Sequence, residues 1–398
     1  MLKIIIKIMK IKSIKSIKNL RGKRVIVRAD FNVPLVNGRV GQSEDFRIVK
    51  TVPTIEYLIK KGAKVIILSH LGRPDGKFDS RYSLKPVAKR LAQLLKQPVE
   101  LSPEVISDKS AELIKKMSNG QVLLLENVRF EAREEMNCKR LAKKMASFGD
   151  LYVNDAFAVS HRAQSSVSAI ADFLPAYAGL LLEEEVTHLS TVLKTPKHPL
   201  VVIIGGAKIS TKIKVIKNFS KIADKILLGG ALANTVLKVM GISVGQSKVE
   251  TEMFAEVKKF KLTDNQIVVP VDGVMATKID AKIGRMDALA DVRDNELILD
   301  IGPDTLKLYE KIIKSAKMIV WNGPMGLIEN RVFAKGTAKL IKIMADSKAT
   351  TIIGGGETVQ IIRKMKLENK FNFISTGGGA MLEFLEGKNL PGLKKLIK

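Results

Sequence analysis

The chain holds 398 residues, enough for two ordinary cores, and its 46% apolar and 27% charged residues are the balance of a folded chain rather than a disordered one. Its formal charge of +27 attracts anions in general, but the lysines are scattered, aromatic residues make up only 5%, and no RNA-binding or helix-turn-helix pattern accompanies them, so specific nucleic-acid binding is not expected. One cysteine, Cys138, excludes an internal disulfide and points to the cytoplasm; the four histidines have no metal-ligand spacing, and uncharged runs such as residues 173–182 fall short of the ~18 residues a membrane span needs.

The first 21 residues carry six lysines and one arginine, with no acid and without the continuous apolar core of a signal peptide. Met9 can open the frame as well as Met1, so residues 1–8 read either as an over-called start or as a basic tail. Beyond them, short Val/Ile/Leu runs alternate with longer Lys/Glu-rich amphipathic stretches, the pattern of buried parallel strands joined by helices. The first half predicts strands in "RVIVRAD", "AKVIILS", "QVLLLEN" and "DLYVNDA"; the second predicts them in "PLVVIIG", "KILLGG", "QIVVPVD", "MIVWNG", "TIIGGG" and "FNFIST". Between the two blocks, residues 180–195, "LLLEEEVTHLSTVLKT", predict one long connecting helix ended by "TPKHP", with Glu183 to Glu185 on a solvated face. The fold class expected is α/β, with two doubly wound parallel-sheet domains separated by a hinged cleft.

The halves differ in the residues that come after each strand. In the first, strand ends deliver side chains: Asp30 and Asn32 in "RADFNVP", His70 and Arg73 in "SHLGRP", Arg129 in "ENVRF", and His161 with Arg162 in "AFAVSHR", with Arg47 in "SEDFRI" as a further candidate. Open parallel sheets bind ligands beyond the carboxyl ends of their strands, so these groups are expected to share one site. Guanidinium forks match phosphate and carboxylate oxygens two at a time, which suits a small, strongly anionic molecule that also carries a hydroxyl.

In the second half the strand ends deliver glycines: "GGAK" at 205–208, "GGALANT" at 229–235, "GGGET" at 354–358 and "TGGGA" at 376–380. Glycine lets a phosphate approach the backbone, and the first N–H groups of a helix have no internal partner, so each turn is an anion site. One such turn is weak, since α/β proteins use glycine there for geometry alone; four together, one followed by Lys208, imply a nucleotide. The turns fit neither G-x-x-x-x-G-K-[ST] nor G-x-G-x-x-G, which argues against a P-loop and against a dehydrogenase.

Blander readings apply elsewhere. Arg21, Arg24 and Arg81 are taken as surface charges, Trp321 as packing, and His188 and His198 as structural or exposed. His161 stays open between a ligand and a satisfied core histidine.

Taken together, "KRVIVRADFNVP", "VIILSHLGRPDGK", "LLLENVRF", "VNDAFAVSHRA", "GGAKISTKI", "WNGPMGLIE", "IIGGGET" and "ISTGGGAMLEFLEGKNLPG" resemble the phosphoglycerate kinase family from about residue 17 to the last residue. The resemblance implies a two-lobed hinge enzyme of glycolysis, a monomer, that moves a phosphoryl group between 1,3-bisphosphoglycerate and ADP to give 3-phosphoglycerate and ATP. It implies an N-terminal 3-phosphoglycerate domain over residues 1–182, a nucleotide domain over 183–375, and a tail over 376–398 that returns to the first domain. Asp30 and Asn32 would hold the substrate's hydroxyl end, His70, Arg73, Arg129 and Arg162 its phosphate, and Arg47 would face the reacting carboxylate. On the nucleotide side Lys208 would follow the transferred phosphoryl group, Lys212 the α-phosphate and Glu329 the ribose. The turns at Gly354, Gly355, Gly356 through Thr358 and at Gly377 to Gly379 would offer backbone N–H groups, so Arg47, Lys208, Gly356 and Gly378 are the catalytic set. Glu357 would be the Mg²⁺ partner.

Four positions depart from the family's usual pattern. Glu357 stands where an aspartate is usual, Gln164 where another histidine is usual, Ile298 where glycine is frequent, and "GGALANT" replaces a glycine–methionine version. A non-catalytic basic protein that binds nucleotide or nucleic acid is the alternative these departures and the charge leave.

Overall fold

Runs of β-branched residues and leucine cannot leave both faces in water, and among the described residues the long ones, such as Arg24–Arg28, Lys64–Leu68, Leu200–Ile204 and Met318–Asn322, form strands buried over most of their length. The computed structural model describes residues 10–262 and 264–397, so the ambiguous start over residues 1–8 lies outside the described residues. Two compact units result, one taking the described residues up to Ser190 together with those from Gly387, the other running Thr191–Glu386.

The first unit is built on β1 (Arg24–Arg28), β2 (Lys64–Leu68), β3 (Val99–Leu101), β4 (Val122–Leu124), β5 (Leu151–Asn154) and β6 (Ala176–Ala178), all parallel, in the order β3-β4-β2-β1-β5-β6. Four helices alternate with them, α1 (Phe46–Lys60), α2 (Lys85–Leu95), α3 (Asp108–Lys116) and α4 (Lys139–Ala146), before α5 (Leu180–Lys194) leads on. The chain lays β2 on one side of β1 and β5 on the other, which opens a crevice at the carboxyl end of the central strand. Val25, Val27, Val65 and Ile67 pack with Ile48, Ile55 and Leu58 of α1 in one buried cluster, each side chain stabilising the fold by roughly 1.5–3 kcal/mol. At the edge, the Ala178 N–H donates to the Lys12 carbonyl and the Lys12 N–H to the Leu396 carbonyl, both at 2.7 Å, so the two chain ends cover β6.

The second unit repeats the plan with β7 (Leu200–Ile204), β8 (Lys225–Leu228), β9 (Ile267–Val268), β10 (Asp272–Ala276), β11 (Arg285–Ala288), β12 (Leu297–Ile301), β13 (Met318–Asn322), β14 (Thr350–Gly354) and β15 (Phe373–Ile374). Six of these form a parallel sheet in the order β15-β14-β13-β7-β8-β9, and the other three form an antiparallel sheet, β11-β10-β12. Its helices are α6 (Ile213–Phe219), α7 (Ala231–Val239), α8 (Phe254–Val257), α9 (Pro303–Ser315), α10 (Lys335–Ala345), α11 (Gly356–Lys364) and α12 (Gly378–Leu385).

The expected strands all form, but the antiparallel sheet is an addition to them. Within "QIVVPVD", Pro270 cannot donate to a ladder, so the run breaks into the two-residue β9 and the start of β10. Strand β11, "RMDA", is largely exposed, and four residues are too few for its alternation to stand out. β3 and β6 have only three residues each, too few to show a period.

The glutamates of α5 need a correction. Glu185 is fully buried, because Leu181, Leu182, Glu185, Val186 and Leu189 form one stripe at helical spacing. Glu183 accepts from the Ser13 hydroxyl at 2.9 Å and pairs with Lys15 at 3.2 Å, which leaves Glu184 as the exposed member.

Candidate active site

The loop after β1 turns back on itself to present Asp30 and Asn32. Asp30 Oδ1 accepts from the Asn32 N–H at 3.0 Å, and its Oδ2 lies 3.0 Å from Arg47 at the start of α1. Asn32 is tied down at both ends: its side-chain oxygen accepts from the Gly72 N–H at 2.9 Å, and its carbonyl accepts from Arg47 at 3.0 Å. Gly72 in turn gives its carbonyl to Arg129 at 2.6 Å. The residues just past β1, β2 and β4 are thus one hydrogen-bonded chain.

Electrostatics follow from this crowding. Burial alone would raise the Asp30 carboxyl, but Arg47, the Asn32 N–H and Arg28 outweigh it and hold the group below the usual carboxylate range. His70 is buried and pushed well below its ordinary value, first by desolvation and then by Arg28, Arg129 and Arg47, against the pull of Asp30. It is a neutral imidazole among guanidinium groups. Desolvation lowers Arg129 as well, and Arg162, Arg28 and Arg73 press on it in the same direction. Arginines that repel each other at close range form a site that an anion relieves.

Of these groups, Arg73 and the edge of Arg162 face solvent, and Arg162 Nε donates to His161 Nε2 at 3.3 Å. Arg129 pairs with Glu135 at 3.0 Å, a carboxylate that is 55% exposed, while its Nε has no hydrogen-bond partner. Gln164 is buried and donates to that same Glu135 at 3.3 Å. Arg28 is a member of the site that the sequence reading misses. It is fully buried at the end of β1, where its Nε donates to Ser166 at 2.8 Å and its Nη2 meets His70 Nδ1 at 3.3 Å. The signal for it is a charge that directly follows apolar residues 25–27 and leads into the Asp30 loop. Glu134 balances it from behind, sharing the same Ser166 hydroxyl.

In the second unit the glycine turns meet. The Gly205 N–H donates to the Asn322 carbonyl at 3.0 Å, Gly206 to Pro324 at 2.8 Å and Gly230 to Met325 at 2.8 Å. Gly206 and Gly355 have φ of +107° and +96°, where a side chain is strained; a Cβ would stand 2.8 Å from Lys212 Nζ at the first and 3.1 Å from the Gly323 N at the second. Gly378, opening α12, approaches so closely that a Cβ there would lie 3.5 Å from Gly355 Cα and 3.7 Å from Gly356 N. Lys212 is the cation at this junction. Its ammonium donates to the Gly205 carbonyl, and burial lowers it to about 8 against the pull of Glu357. In the first turn of α11, Thr358 is buried with no partner for its hydroxyl. Lys208 is exposed, and its ammonium makes no ion pair among the described residues.

Beside the junction lies a cavity of about 280 Å³. Gly206, Gly230, Ala231 and Glu357 line it together with the apolar Leu237, Leu289 and Ile298, and Glu329 is on its wall. The "GGALANT" turn therefore belongs to the site. Trp321 does not; fully buried, it donates to the Gly323 carbonyl at 2.7 Å and serves as packing.

A doubly wound sheet that presents guanidinium groups and another that presents glycine turns beside a cavity are the parts of an α/β phosphotransferase. The family model described as phosphoglycerate kinase matches residues 14–388. The chain belongs to the phosphoglycerate kinase family. Curated proteins of that name are 45% identical in Borrelia hermsii over 95% of this chain and 97% of theirs, and 47% identical in Pseudothermotoga lettingae over 94% and 96%. Among solved structures, the phosphoglycerate kinases of Coxiella burnetii and Pyrococcus horikoshii superpose with TM-scores of 0.83 and 0.87, at 40% and 33% identity, each over 97% of this chain and 98% of the other. The enzyme is a glycolytic kinase with a carboxyl group as phosphoryl acceptor, and ATP and ADP are its nucleotides. Among the described residues no helix is long and apolar enough to cross a membrane.

Proposed function

We propose that this chain binds 3-phosphoglycerate on the arginine-lined crevice of its first unit and ATP on the glycine turns of its second, and transfers the γ-phosphoryl group to the acid's carboxylate. An oxygen of that carboxylate forms the new P–O bond, the bond to the β,γ-bridging oxygen breaks, and ADP leaves; the reverse reaction makes ATP from 1,3-bisphosphoglycerate. The observation that carries the reading is the meeting of the four glycine turns beside one cavity, with Lys212 buried against the first of them.

On the acid, Arg73, Arg129 and Arg162, with His70 as a neutral donor, would bind the phosphate, and Asp30 with Asn32 the hydroxyl end. Arg47, anchored by Asp30 and the Asn32 carbonyl, is a fixed donor aimed by its partners rather than by the substrate. It suits the carboxylate oxygen whose charge changes in transfer. On the nucleotide, the apolar lining of the cavity, Leu237, Leu289 and Ile298, would take the base, Glu329 the ribose and Lys212 the α-phosphate. The N–H groups of Gly354, Gly355, Gly356 and Gly378, with the orphaned Thr358 hydroxyl, would serve the outer phosphates.

Phosphoryl transfer passes through a loose transition state, so catalysis is positioning and neutralisation of charge on the equatorial oxygens. Lys208, which makes no ion pair among the described residues, would travel with the transferred group. The donor and acceptor sit on different units, so transfer requires them to close on each other, which also excludes water from the acyl phosphate.

The family's metal is Mg²⁺, and the residues present fit it. Among the described residues no group of three or more His, Cys, Asp or Glu could hold an ion alone. Mg²⁺ needs no such cage, since one or two carboxylates and phosphate oxygens suffice. Glu357, on the cavity wall at the start of α11, would be that carboxylate. When bound, the ion neutralises phosphate charge.

Both substrate sites lie on one chain, so a monomer would suffice for transfer, and the single, partly exposed cysteine suits a reducing compartment such as the cytoplasm. A coupled assay with 3-phosphoglycerate and MgATP tests the reading: turnover is expected for the natural chain and lost in Lys208→Ala, and equal rates in the two would overturn it.

A further inference from the structure

The second unit has another pocket, of about 910 Å³, that shares no lining residue with the nucleotide cavity. One wall is the face of α6 that carries Lys214, Lys217 and Lys221, three and four residues apart and therefore stacked on one side of the helix and its continuation. The opposite wall, which begins at Met253 and ends at Ile267, adds Lys259 and Lys261 together with Glu256 and Asp264. Five lysines against two carboxylates leave an excess of three positive charges around one concavity.

The two acids are already engaged on their own wall. Glu256 is paired with Lys259, and Asp264 lies 3.8 Å from Lys261. Lys217 adds only a weaker pull on Glu256, and Lys214, Lys217 and Lys221 form no ion pair among the described residues. Ile213, Phe260 and Ile267 give the pocket an apolar part, against which lysine stems pack while their ammonium groups stay in water. Like charges gathered around a low-dielectric concavity repel each other and focus a positive potential, and both effects are relieved by one multivalent anion.

We infer that this pocket binds a compact polyanion, an oligophosphate chain, at a site separate from the substrates. Three unpaired lysines on one helix face match successive phosphates of such a chain better than a single phosphate. The site adjoins the reactive loop: Ser210 lines it and donates its hydroxyl and N–H to Glu250 at 2.6 and 3.0 Å, two residues beyond Lys208.

Isothermal titration tests it, with tripolyphosphate added to the full chain already saturated with ADP and 3-phosphoglycerate, in EDTA so that chelation gives no heat. The ADP and 3-phosphoglycerate titrations that precede it test the substrate sites by themselves. K214Q/K217Q/K221Q removes the three lysines of the pocket that form no ion pair among the described residues; K139Q/K143Q/K144Q removes the same charge from exposed positions on α4 in the first unit. We expect the natural chain and the α4 variant to bind tripolyphosphate alike, the pocket variant to bind it at least about tenfold more weakly, and all three to bind ADP equally. No binding by the saturated natural chain, or an equal loss in both variants, would overturn the site and leave only the general attraction of a cationic protein for anions.

Discussion

Arg47 and Asp30 stand 3.0 Å apart, and the carboxylate of the pair is almost fully buried while the guanidinium is 28% exposed. Asp30 thus fixes the direction of an arginine whose free edge is left for a ligand. Removing that edge in Arg47→Ala should lower kcat by about 10²–10³ while the KM for 3-phosphoglycerate changes less, because the contact strengthens as charge builds on the reacting oxygen. Steady-state kinetics in both substrates decide this, and a change in KM alone would show that Arg47 only binds.

Asp30 also predicts part of the acid limb of stability. Its carboxyl is held below its ordinary value in the fold, against its own burial, by Arg47 and the Asn32 N–H. The folded chain therefore keeps this group ionised where the unfolded chain would protonate it. Its contribution is complete above about pH 4 and lost as pH falls through the lower, folded value. Denaturant titrations of Asp30→Asn between neutral and acid pH should show a smaller fall in stability than the natural chain.

Lys212 gives the opposite dependence on two measurements. Burial lowers its ammonium to about 8, so above that pH the folded site is neutral while an unfolded lysine still binds its proton. Its effect on stability therefore rises with pH between about 8 and 10.4. Its value to a nucleotide phosphate falls over the same range, since only the ammonium form attracts the anion. ADP affinity by calorimetry should decline above about pH 8, and Lys212→Arg, which stays charged, should flatten the profile. A profile unchanged by that substitution would remove Lys212 from the phosphate site.

Ile298 is a test of the base end of the cavity. Its Cγ2 lies where a Cβ on Gly273 would be 3.2 Å away, and it packs with the cluster of Leu237, Met275 and Leu289. Ile298→Ala should cost about 2 kcal/mol of stability and widen the slot, narrowing the preference in kcat/KM for ATP over GTP. Unaltered base selectivity would place the base elsewhere.

Asp272 is a purely structural prediction. The cap of α9 falls at Gly302, which has no side chain, so Asp272 of β10 supplies the acceptor, taking the N–H groups of Asp304 at 2.9 Å and Thr305 at 2.7 Å. Asp272→Ala should lower the unfolding free energy by about 2–3 kcal/mol, with Asp272→Asn losing less. Chemical denaturation measures it, and 3-phosphoglycerate binding should not change.

Much of this is legible without the fold. Apolar runs mark the long strands because a buried parallel strand is apolar on both faces, and Arg73, Arg129 and Lys208 can be singled out because each comes directly after such a run. Arg28 escapes for the same reason read backwards: a charge within a strand looks like its solvated end until Ser166 and Glu134 are seen to enclose it. Glu185 escapes because three adjacent acids look like one solvated face, whereas a helix turns each residue by a different angle.

Composition and local order determined the alternation of strands and helices, the chemistry of each strand end and the family, since these depend on neighbours along the chain. Only the tertiary structure decided which polar groups lose their water. That is why His70 is neutral, why Lys212 loses part of its basicity, and why lysines from two separate segments face one pocket: desolvation and proximity are set by residues far away in sequence, and no local pattern contains them.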